Sequence, residues 1–197
     1  MAEIVEIGID EAGCGCMAGD LFVSIVALPA GIKLPGVKDS KKLSDAQREE
    51  LVDSIWEGAL WYKTIDSNPA HIDMYGLGGC WMTLVRLLGA EAREKFPGVK
   101  VILDGGRSTR QSWVKPIPKA DDQYLAVMAA SVLSKYAQTC CMDAHHKQYP
   151  QYGFDKHRGY VTKAHLEAVM EHGPCPIHRK SYRPVQKIMA LRSQSST

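Results

Sequence analysis

The chain has 197 residues, of which 45% are hydrophobic and 23% are charged, so it is long enough to bury one sizeable core. Its formal net charge of +2 excludes a strongly basic or acidic protein, and the total charge favours neither a nucleic-acid nor a membrane partner. It contains no apolar run of the roughly 20 residues that a bilayer-spanning helix needs, and early acids stand where an export signal would be basic. We therefore expect a soluble cytoplasmic protein, with its six cysteines reduced.

The first third of the chain is predicted to contain two strands, a helix and a third strand. Residues 4–9 and 20–28 are β-rich runs separated by a glycine turn, which predicts two paired antiparallel strands. In the following helix, LSDAQREELVDSIWEGA, Ser44 is predicted as the N-cap and Gln47 as its capping-box partner. The segment LWYKTI then predicts a third strand.

The rest of the chain is predicted to alternate helices with one further strand. A helix is predicted over residues 68–96, because a Pro-Gly pair follows it. VKVILDGG predicts a fourth strand that ends at Asp104, and the long helix after it is predicted to begin at Asp121 or Asp122. Two more helices are predicted at TKAHLEAVMEH and PVQKIMALR. This order of elements predicts an α/β protein with a mixed sheet and helices packed on it.

The C-terminal fifth of the chain is basic. Residues 156–192 contain eight Lys and Arg side chains but only two acids, so this region is a candidate surface for nucleic acid. We predict one domain, in which residues 1–150 form a catalytic core and residues 151–192 form a basic helical substrate-binding extension. A polar tail is predicted at 193–197.

Carboxylates lie where two predicted strands end and where the long helix begins. Asp10 and Glu11 close the first strand, Asp104 closes the fourth, and Asp121 opens the helix. If the first and fourth strands are parallel neighbours, their carboxyl ends meet at one edge of the sheet, where α/β proteins bind ligands. Clustered carboxylates repel one another unless cations neutralise them, and their oxygen ligands suit Mg²⁺ or Mn²⁺. Two such ions about 4 Å apart can promote cleavage of a phosphodiester.

Each of these acids also has a purely structural alternative. A strand-terminal Asp before glycine often only forms a turn, and an Asp at a helix start often only caps the helix. Neighbouring strand residues face opposite ways, so one member of the pair Asp10 and Glu11 can be a solvated bystander. The pair is nevertheless harder to explain as a turn than either acid alone.

The sequence resembles the type 2 ribonuclease H family, ribonuclease HII, in motifs that follow one another along nearly the whole chain. These motifs are GIDEAGCGCMAG, VKDSKKLSDAQREEL, NPAHIDMYGL, VILDGG, KADDQYLAVMAASVLSK and YPQYGFDKHRGYVTKAHLEAVMEHGPCPIHRKSYRPV. The resemblance implies an α/β, ribonuclease H-like fold: a mixed five-stranded sheet flanked by helices, with a small helical basic C-terminal region.

The resemblance also implies an activity and its cofactors. The implied enzyme is an endonuclease that hydrolyses the RNA strand of RNA/DNA hybrids and cuts 5′ of single ribonucleotides embedded in duplex DNA. It would use two Mg²⁺ or Mn²⁺ ions per site and leave 3′-hydroxyl and 5′-phosphate ends. Position by position, the implied catalytic and metal-binding acids are Asp10, Glu11, Asp104 and Asp121. The family's acid directly follows its Lys-Ala pair, which selects Asp121 over Asp122.

Further motif positions are implied to bind substrate, and these are Gly13, Cys14, Gly15, Ser40, Lys41, Lys42, Ser131, Lys135, His157 and Tyr160. The lysine pair can neutralise phosphates, although outside the motif it would be a solvated surface. Tyr160 matches the tyrosine that packs against the sugar at the ribonucleotide–deoxyribonucleotide junction, where it can sense a missing 2′-hydroxyl. Its alternative role is core packing. For His157, a phosphate contact and a structural contact both stay open.

Three segments depart from the family pattern. Cys14 and Cys16 stand where the family usually has the arginine and proline of Gly-Arg-Gly-Pro. Gln138 and Thr139 replace the usual Arg-Asp, and Val161 stands where glycine is common. Losing the guanidinium removes a fork of donors, but the two glycines remain, so the loop can still read a 2′-hydroxyl through its backbone. We therefore expect retained metal chemistry with weaker or altered junction selectivity.

Two other functions stay open from the sequence. One is a catalytically impaired protein that only binds RNA/DNA hybrids, and the other is a nuclease of the same fold that acts on DNA. Retention of all four acids argues against the first, because a binding protein gains nothing from crowded carboxylates. The expected partners are RNA/DNA hybrids and ribonucleotide-containing DNA, with no membrane, and we expect a monomer. The sequence leaves a sliding-clamp partner open.

Overall fold

The structure, a computed structural model, describes residues 4–37 and 44–195. The strands are β1 (Ile4–Ala12), β2 (Leu21–Pro29), β3 (Trp61–Ser67), β4 (Val101–Asp104) and β5 (Val114–Ile117). The helices are α1 (Asp45–Gly58), α2 (Pro69–Tyr75), α3 (Leu77–Lys95), α4 (Leu125–Gln148), α5 (Phe154–His157), α6 (Lys163–His172) and α7 (Arg183–Ser195). Short 3-10 turns lie at Ala120–Asp122 and Pro150–Tyr152.

The five strands form one mixed sheet in the order β3-β2-β1-β4-β5. β1 runs antiparallel to β2, with Ile9 opposite Ile25, and parallel to β4, with Ile9 opposite Leu103. β4 and β5 are also parallel. The predicted antiparallel pair and mixed five-stranded sheet are therefore confirmed, and the first and fourth strands are the parallel neighbours that the carboxylate hypothesis required.

Helix α4 packs directly on the backbone of β1 at Gly8. A Cβ added to Gly8 would lie 2.2 Å from the backbone nitrogen of Val127, so no other residue fits at this strand position. On the helix side the contact is made by the backbone of Ala126 and Val127, and both residues are fully buried. This close approach holds the start of α4 against the strand that carries Asp10.

The chain divides into two compact units. The first holds the described residues of 1–12, 22–65 and 82–137, and its apolar core includes Val26, Ile55 and Leu133. The second holds those of 13–21, 66–81 and 138–197, with a core that includes Met17, Phe154, Val169 and Val185. The predicted boundary at residue 150 stays a prediction, and the second unit also draws on two earlier segments of the chain.

Local sequence rules located several helix ends correctly. The capping box at α1 is confirmed, because the Ser44 hydroxyl accepts from the Gln47 backbone N–H at 3.3 Å while the Ser44 N–H donates to Gln47 Oε1 at 3.0 Å. The helix predicted after Gly159 begins at Lys163, with Thr162 as its N-cap.

Three element predictions were wrong. The single helix predicted over 68–96 is two helices, α2 and α3, because Gly76 breaks it with a φ of 74°. The long helix starts at Leu125, and Asp121 and Asp122 lie in the 3-10 turn before it. The strand β5 lies in a segment interpreted as a loop, since its four residues include Pro116 and carry no apolar alternation.

Two simpler expectations concern membranes and thiols. Among the described helices, none combines the length and apolar character needed to cross a bilayer. All six cysteines are free thiols, as expected from their spacing. Helix α7 continues to Ser195, which lies inside the segment predicted to be a polar tail.

Candidate active site

Three of the predicted metal-binding acids converge in the first unit. Asp10 lies on β1, Asp104 ends β4, and Asp121 lies in the 3-10 turn that precedes α4. One carboxylate oxygen from each lies within 4.8 Å of the others. The neighbouring acid Asp122 does not belong to this group of described donors.

The backbone explains how residues so distant in sequence meet. Ile9 pairs with Leu103 across the parallel β1–β4 ladder, so Asp10 and Asp104 follow at the same edge of the sheet. The Asp104 carboxylate then accepts a hydrogen bond from the Ala120 backbone N–H at 2.7 Å. This bond fixes the 3-10 turn and holds Asp121 beside the two strand acids.

The electrostatic environment of Asp10 is unfavourable for a charged carboxylate. Its side chain is 6% exposed, and burial, followed by the charges of Glu11 and Asp104, raises the pKa of Asp10 to about 7. Hydrogen bonds from Ser131 and from the Glu11 backbone oppose this rise. Without a cation, Asp10 is therefore only partly ionised near neutral pH.

Glu11 is the predicted ligand that lies outside the group of converging oxygens. It is half-buried on β1, and its backbone N–H donates to Asp10 Oδ1 at 2.8 Å. Its negative charge contributes to the raised pKa of Asp10. Alternation along the strand explains why its side chain is not in the group.

Ser131 and Lys135 connect α4 to the acids. The Lys135 ammonium donates to Ser131 Oγ at 2.7 Å, and the Ser131 hydroxyl hydrogen-bonds the Asp10 carboxylate. The two residues are four apart on the helix and therefore share one face. Both were predicted as substrate-binding residues, and within the protein they orient Asp10.

The glycine turn and Tyr160 come together in the second unit. Gly13 has a φ of 93°, and an added Cβ would lie 2.5 Å from the Asp20 carbonyl oxygen, so this position requires glycine. A Cβ on Gly15 would lie 3.4 Å from Tyr160 Cε1. Cys16 forms an isolated β-bridge with Tyr160, whose side chain is 48% exposed. The tyrosine ring therefore lies over the turn and stays accessible to a ligand.

Two of the departures from the family pattern contact each other. Gln138 Nε2 donates to Cys16 Sγ at 3.0 Å and to the Arg158 carbonyl at 3.4 Å, and the Cys16 thiol donates to the same carbonyl at 3.3 Å. Both side chains are buried, and burial raises the pKa of Cys16 to about 11, so this thiol is a packed structural group.

The sequence analysis missed the residues that support the turn. Arg179 is fully buried and donates to the carbonyls of Gly19 and Asp20 at 2.9 and 3.1 Å. Its Nη1 also donates to the Tyr182 hydroxyl at 2.9 Å, which in turn donates to the Cys14 carbonyl at 3.2 Å. The motif HRKSYRPV contains both residues, but their sequence only indicated a basic surface.

A chain of neutral histidines supports the backbone of Tyr160 and was also missed. The Tyr160 carbonyl is 2.9 Å from His165 Nδ1, so that nitrogen carries a proton and Nε2 is an acceptor. His178 Nε2, 3.0 Å from His165 Nε2, is then the donor. Its Nδ1 accepts from the Cys175 N–H at 3.0 Å. The three hydrogen bonds together assign one tautomer to each ring.

His157 makes backbone contacts through both ring nitrogens. Its Nε2 lies 2.7 Å from the Tyr152 carbonyl, and its Nδ1 accepts from the Gly159 N–H at 3.3 Å. Its ring also stacks on His165 at 4.1 Å. These contacts favour the structural alternative, and a phosphate contact stays a prediction. Ser40, Lys41 and Lys42 lie outside the described residues.

The donor set at Asp10, Asp104 and Asp121 fits a hard divalent cation. All three offer carboxylate oxygens, which Mg²⁺ and Mn²⁺ prefer over nitrogen or sulfur ligands. Burial, and to a smaller extent the charges of Glu11 and Asp104, raises the pKa of Asp10, and a bound cation would stabilise its ionised form. The chemistry best suited to such a centre is hydrolysis at phosphorus.

Comparisons of sequence and structure with known proteins all identify one family. A sequence model of the ribonuclease HII family matches residues 7–185. The chain is 37% identical over 194 residues to ribonuclease HII of Neisseria gonorrhoeae, covering 96% of this chain and 98% of that protein. It is 40% identical over 185 residues to ribonuclease HII of Shewanella halifaxensis, covering 93% and 90%. Archaeoglobus fulgidus RNase HII, solved as a complex with PCNA, matches with a TM-score of 0.78 at 25% identity, covering 93% of this chain and 96% of that chain.

Proposed function

The chain belongs to the ribonuclease HII family, and from this premise we propose how it hydrolyses the RNA strand of RNA/DNA hybrids. We propose that its substrates include duplex DNA with single embedded ribonucleotides, cut on the 5′ side to leave 3′-hydroxyl and 5′-phosphate ends. The observation that carries the proposal is the group of Asp10, Asp104 and Asp121 oxygens within 4.8 Å of one another.

The proposed catalytic centre consists of these three acids together with Glu11. Two Mg²⁺ or Mn²⁺ ions bound there would activate a water and stabilise the leaving oxygen of the phosphodiester. Asp10, Asp104 and Asp121 would supply the converging ligands, and Glu11 would add charge beside Asp10. Burial, together with repulsion from Glu11 and Asp104, raises the pKa of Asp10 in the metal-free protein, and a bound cation would offset both effects, which supports this assignment.

The residues around the acids hold them ready for binding. Ser131 donates to Asp10 and is itself held by Lys135, while the Ala120 N–H holds Asp104. These bonds favour the ionised carboxylates and fix their orientation before any ligand arrives. We therefore propose Ser131 and Lys135 as positioning residues of the centre.

Recognition of the ribonucleotide is proposed for the turn at Gly13–Cys14–Gly15 and for Tyr160. The accessible Tyr160 ring lies against Gly15, an arrangement that offers an aromatic face and backbone groups to one sugar. Ser40, Lys41 and Lys42 are proposed to neutralise phosphates, and His157 to support this surface.

The test uses an end-labelled DNA duplex with one ribonucleotide, an RNA/DNA hybrid and an all-DNA duplex, each incubated with Mg²⁺ or Mn²⁺. Cleavage of the hybrid, and 5′ of the single ribose, with no cleavage of the all-DNA duplex, is the expected result. Binding without cleavage would support a hybrid-binding protein instead. Cleavage of the all-DNA duplex would support a DNA nuclease.

The site assignment is tested by neutral replacements of the acids. Asp10→Asn and Asp104→Asn should each abolish cleavage while the fold, followed by circular dichroism, is retained. Asp122→Asn is the matched control, since this acid neighbours Asp121 but lies outside the group of converging oxygens. An active Asp104→Asn variant would refute the assignment.

The altered turn is tested by restoring the family's arginine. Cys14→Arg should raise the preference for ribonucleotide-containing over all-DNA duplex, because a guanidinium adds donors suited to phosphate. Cys140→Arg, at an exposed cysteine, controls for the added charge. An unchanged preference would indicate that the turn reads its substrate through the backbone alone.

Partners and location complete the proposal. The Archaeoglobus fulgidus relative is solved in a complex with PCNA, so a clamp of that kind is the protein partner to test first. We propose a monomeric cytoplasmic enzyme, and sedimentation analysis of the pure protein tests its oligomeric state.

A further inference from the structure

A second group of metal-ligand side chains lies in the second unit. Asp20 directly precedes β2, and Cys141 and His145 lie on α4. A carboxylate oxygen, a thiol sulfur and an imidazole nitrogen from these residues all lie within 4.8 Å of one another. The Cys141 Sγ is 3.9 Å from Asp20 Oδ2. Three chemically different donors therefore converge on one small volume.

The surrounding structure fixes these donors independently of any ligand. Cys141 and His145 are four residues apart on a helix, a spacing that puts both side chains on one face. The Asp20 backbone is held by the buried guanidinium of Arg179, which donates to its carbonyl at 3.1 Å. The side chains of all three donors are half-buried, so an ion can reach them and is still shielded from bulk water.

A second acid lies close enough to act on these donors. Asp66, near the end of β3, interacts electrostatically with both Asp20 and Cys141. A bound cation would offset the charges of the two carboxylates, and its binding would release the Cys141 thiol proton, because the thiolate is the ligand.

We propose that Asp20, Cys141 and His145 bind a divalent transition-metal ion of the zinc type. Thiolate and imidazole suit Zn²⁺ and similar borderline ions, whereas Mg²⁺ and Mn²⁺ select oxygen ligands, so this site and the carboxylate centre differ in the ions they take. A tetrahedral ion has a fourth position, which water can fill. The ion would join α4 to the Asp20 end of the turn-containing segment 13–20 and stabilise the second unit. This site does not depend on the proposed catalytic function.

The test uses Co²⁺ as a spectroscopic substitute for Zn²⁺ in the metal-free, full-length protein. One equivalent of Co²⁺ should produce a thiolate-to-cobalt charge-transfer band in the near ultraviolet. Zn²⁺ should abolish this band, and excess Mg²⁺ should leave it unchanged. No band, or a band that Mg²⁺ removes, would overturn the proposal.

Variants locate the site within the chain. Cys141→Ser should remove the band and weaken Zn²⁺ binding on the order of 100-fold or more, because loss of even an outer partner costs about 10- to 100-fold. His145→Gln should also weaken binding. Cys140→Ser is the matched control, since Cys140 is an exposed neighbour outside the group of donors.

Thermal unfolding keeps the test decisive if a variant is destabilised. Zn²⁺ should raise the unfolding temperature of the parent and of Cys140→Ser, but not that of Cys141→Ser. If Cys141→Ser keeps the band and the Zn²⁺-dependent shift, or if Cys140→Ser loses both, the assignment is wrong.

Discussion

The neutral histidine chain behind Tyr160 predicts that the protein loses stability in mild acid. Burial lowers the pKa of His165 to about 3 and that of His178 to about 4, against 6.5 for a solvated histidine. His157, stacked on His165, lowers the pKa of both rings further by its charge when protonated. The unfolded chain therefore takes up protons near pH 6.5, whereas the folded chain does not until the pH is well below 5.

The sign and size of the effect follow from this difference. Above pH 6.5 both states are neutral at His165, and as the pH falls below 6.5 protonation favours the unfolded chain. Each pH unit is worth about 1.4 kcal/mol per ring, so the change from pH 6.5 to 5 should lower the free energy of unfolding by about 2 kcal/mol for His165. When His178 is included, the expected loss in the free energy of unfolding is roughly 2–4 kcal/mol. The two contributions do not add fully, because the rings share one hydrogen bond.

The assay is urea unfolding at a series of pH values between 7.5 and 5, compared among the parent, His165→Asn and His71→Asn. Asparagine can still donate to the Tyr160 carbonyl but cannot titrate, so His165→Asn should lose stability with pH less steeply than the parent. His71 is exposed, and its replacement should leave the slope unchanged. The reasoning would be refuted by an unchanged slope in His165→Asn, or by a His165 ring that titrates near pH 6.5 in NMR spectra.

Three further predictions concern the catalytic centre and the strand beneath it. In metal-free protein at pH 8, Asp10→Asn should raise the free energy of unfolding by up to about 4 kcal/mol, since the pKa of the folded carboxyl is raised from 3.8 to about 7. Urea unfolding measures this, and a gain that persists at pH 3, where both states hold the proton, would contradict it. Ser131→Ala should move the acidic limb of the pH–rate profile to higher pH by up to about one pH unit, because it removes a hydrogen bond that favours ionised Asp10. An acidic limb at an unchanged pH would exclude Ser131 as a positioning residue. Gly8→Ala should cost more than about 3 kcal/mol or prevent folding, whereas Gly78→Ala on α3, where nothing lies within 4 Å, should stabilise by about 0.5–1 kcal/mol in the same unfolding assay.

The features that the sequence predicted well depend on short-range rules. The β1–β2 pair follows from two β-rich runs around a glycine turn, and the start of α1 follows from Ser44 and Gln47. The approach of Asp10 and Asp104 was predictable because strand order places both at one sheet edge. The family resemblance then supplied the fifth strand, which local patterning had missed.

The features that the sequence did not predict depend on contacts between distant residues. From the sequence, Asp121 looked like the first residue of a helix. In the structure, its position is set by the hydrogen bond that the Ala120 N–H donates to the Asp104 carboxylate, between residues sixteen apart in the chain. Arg179 counted as surface charge, yet it is fully buried against backbone carbonyls. His165 showed no signal of its own, since a neutral buried histidine and a solvated one look identical in sequence.

The buried contact between Cys16 and Gln138 makes the two departures from the family pattern interdependent. Each side chain is a hydrogen-bond partner of the other, and both engage the Arg158 carbonyl. Replacing either residue alone by the family's residue would remove the hydrogen-bond partner of the other. The double replacement should therefore lower the free energy of unfolding by less than the sum of the two single replacements. The residue at position 16 therefore restricts which side chains position 138 can hold, and the reverse is equally true.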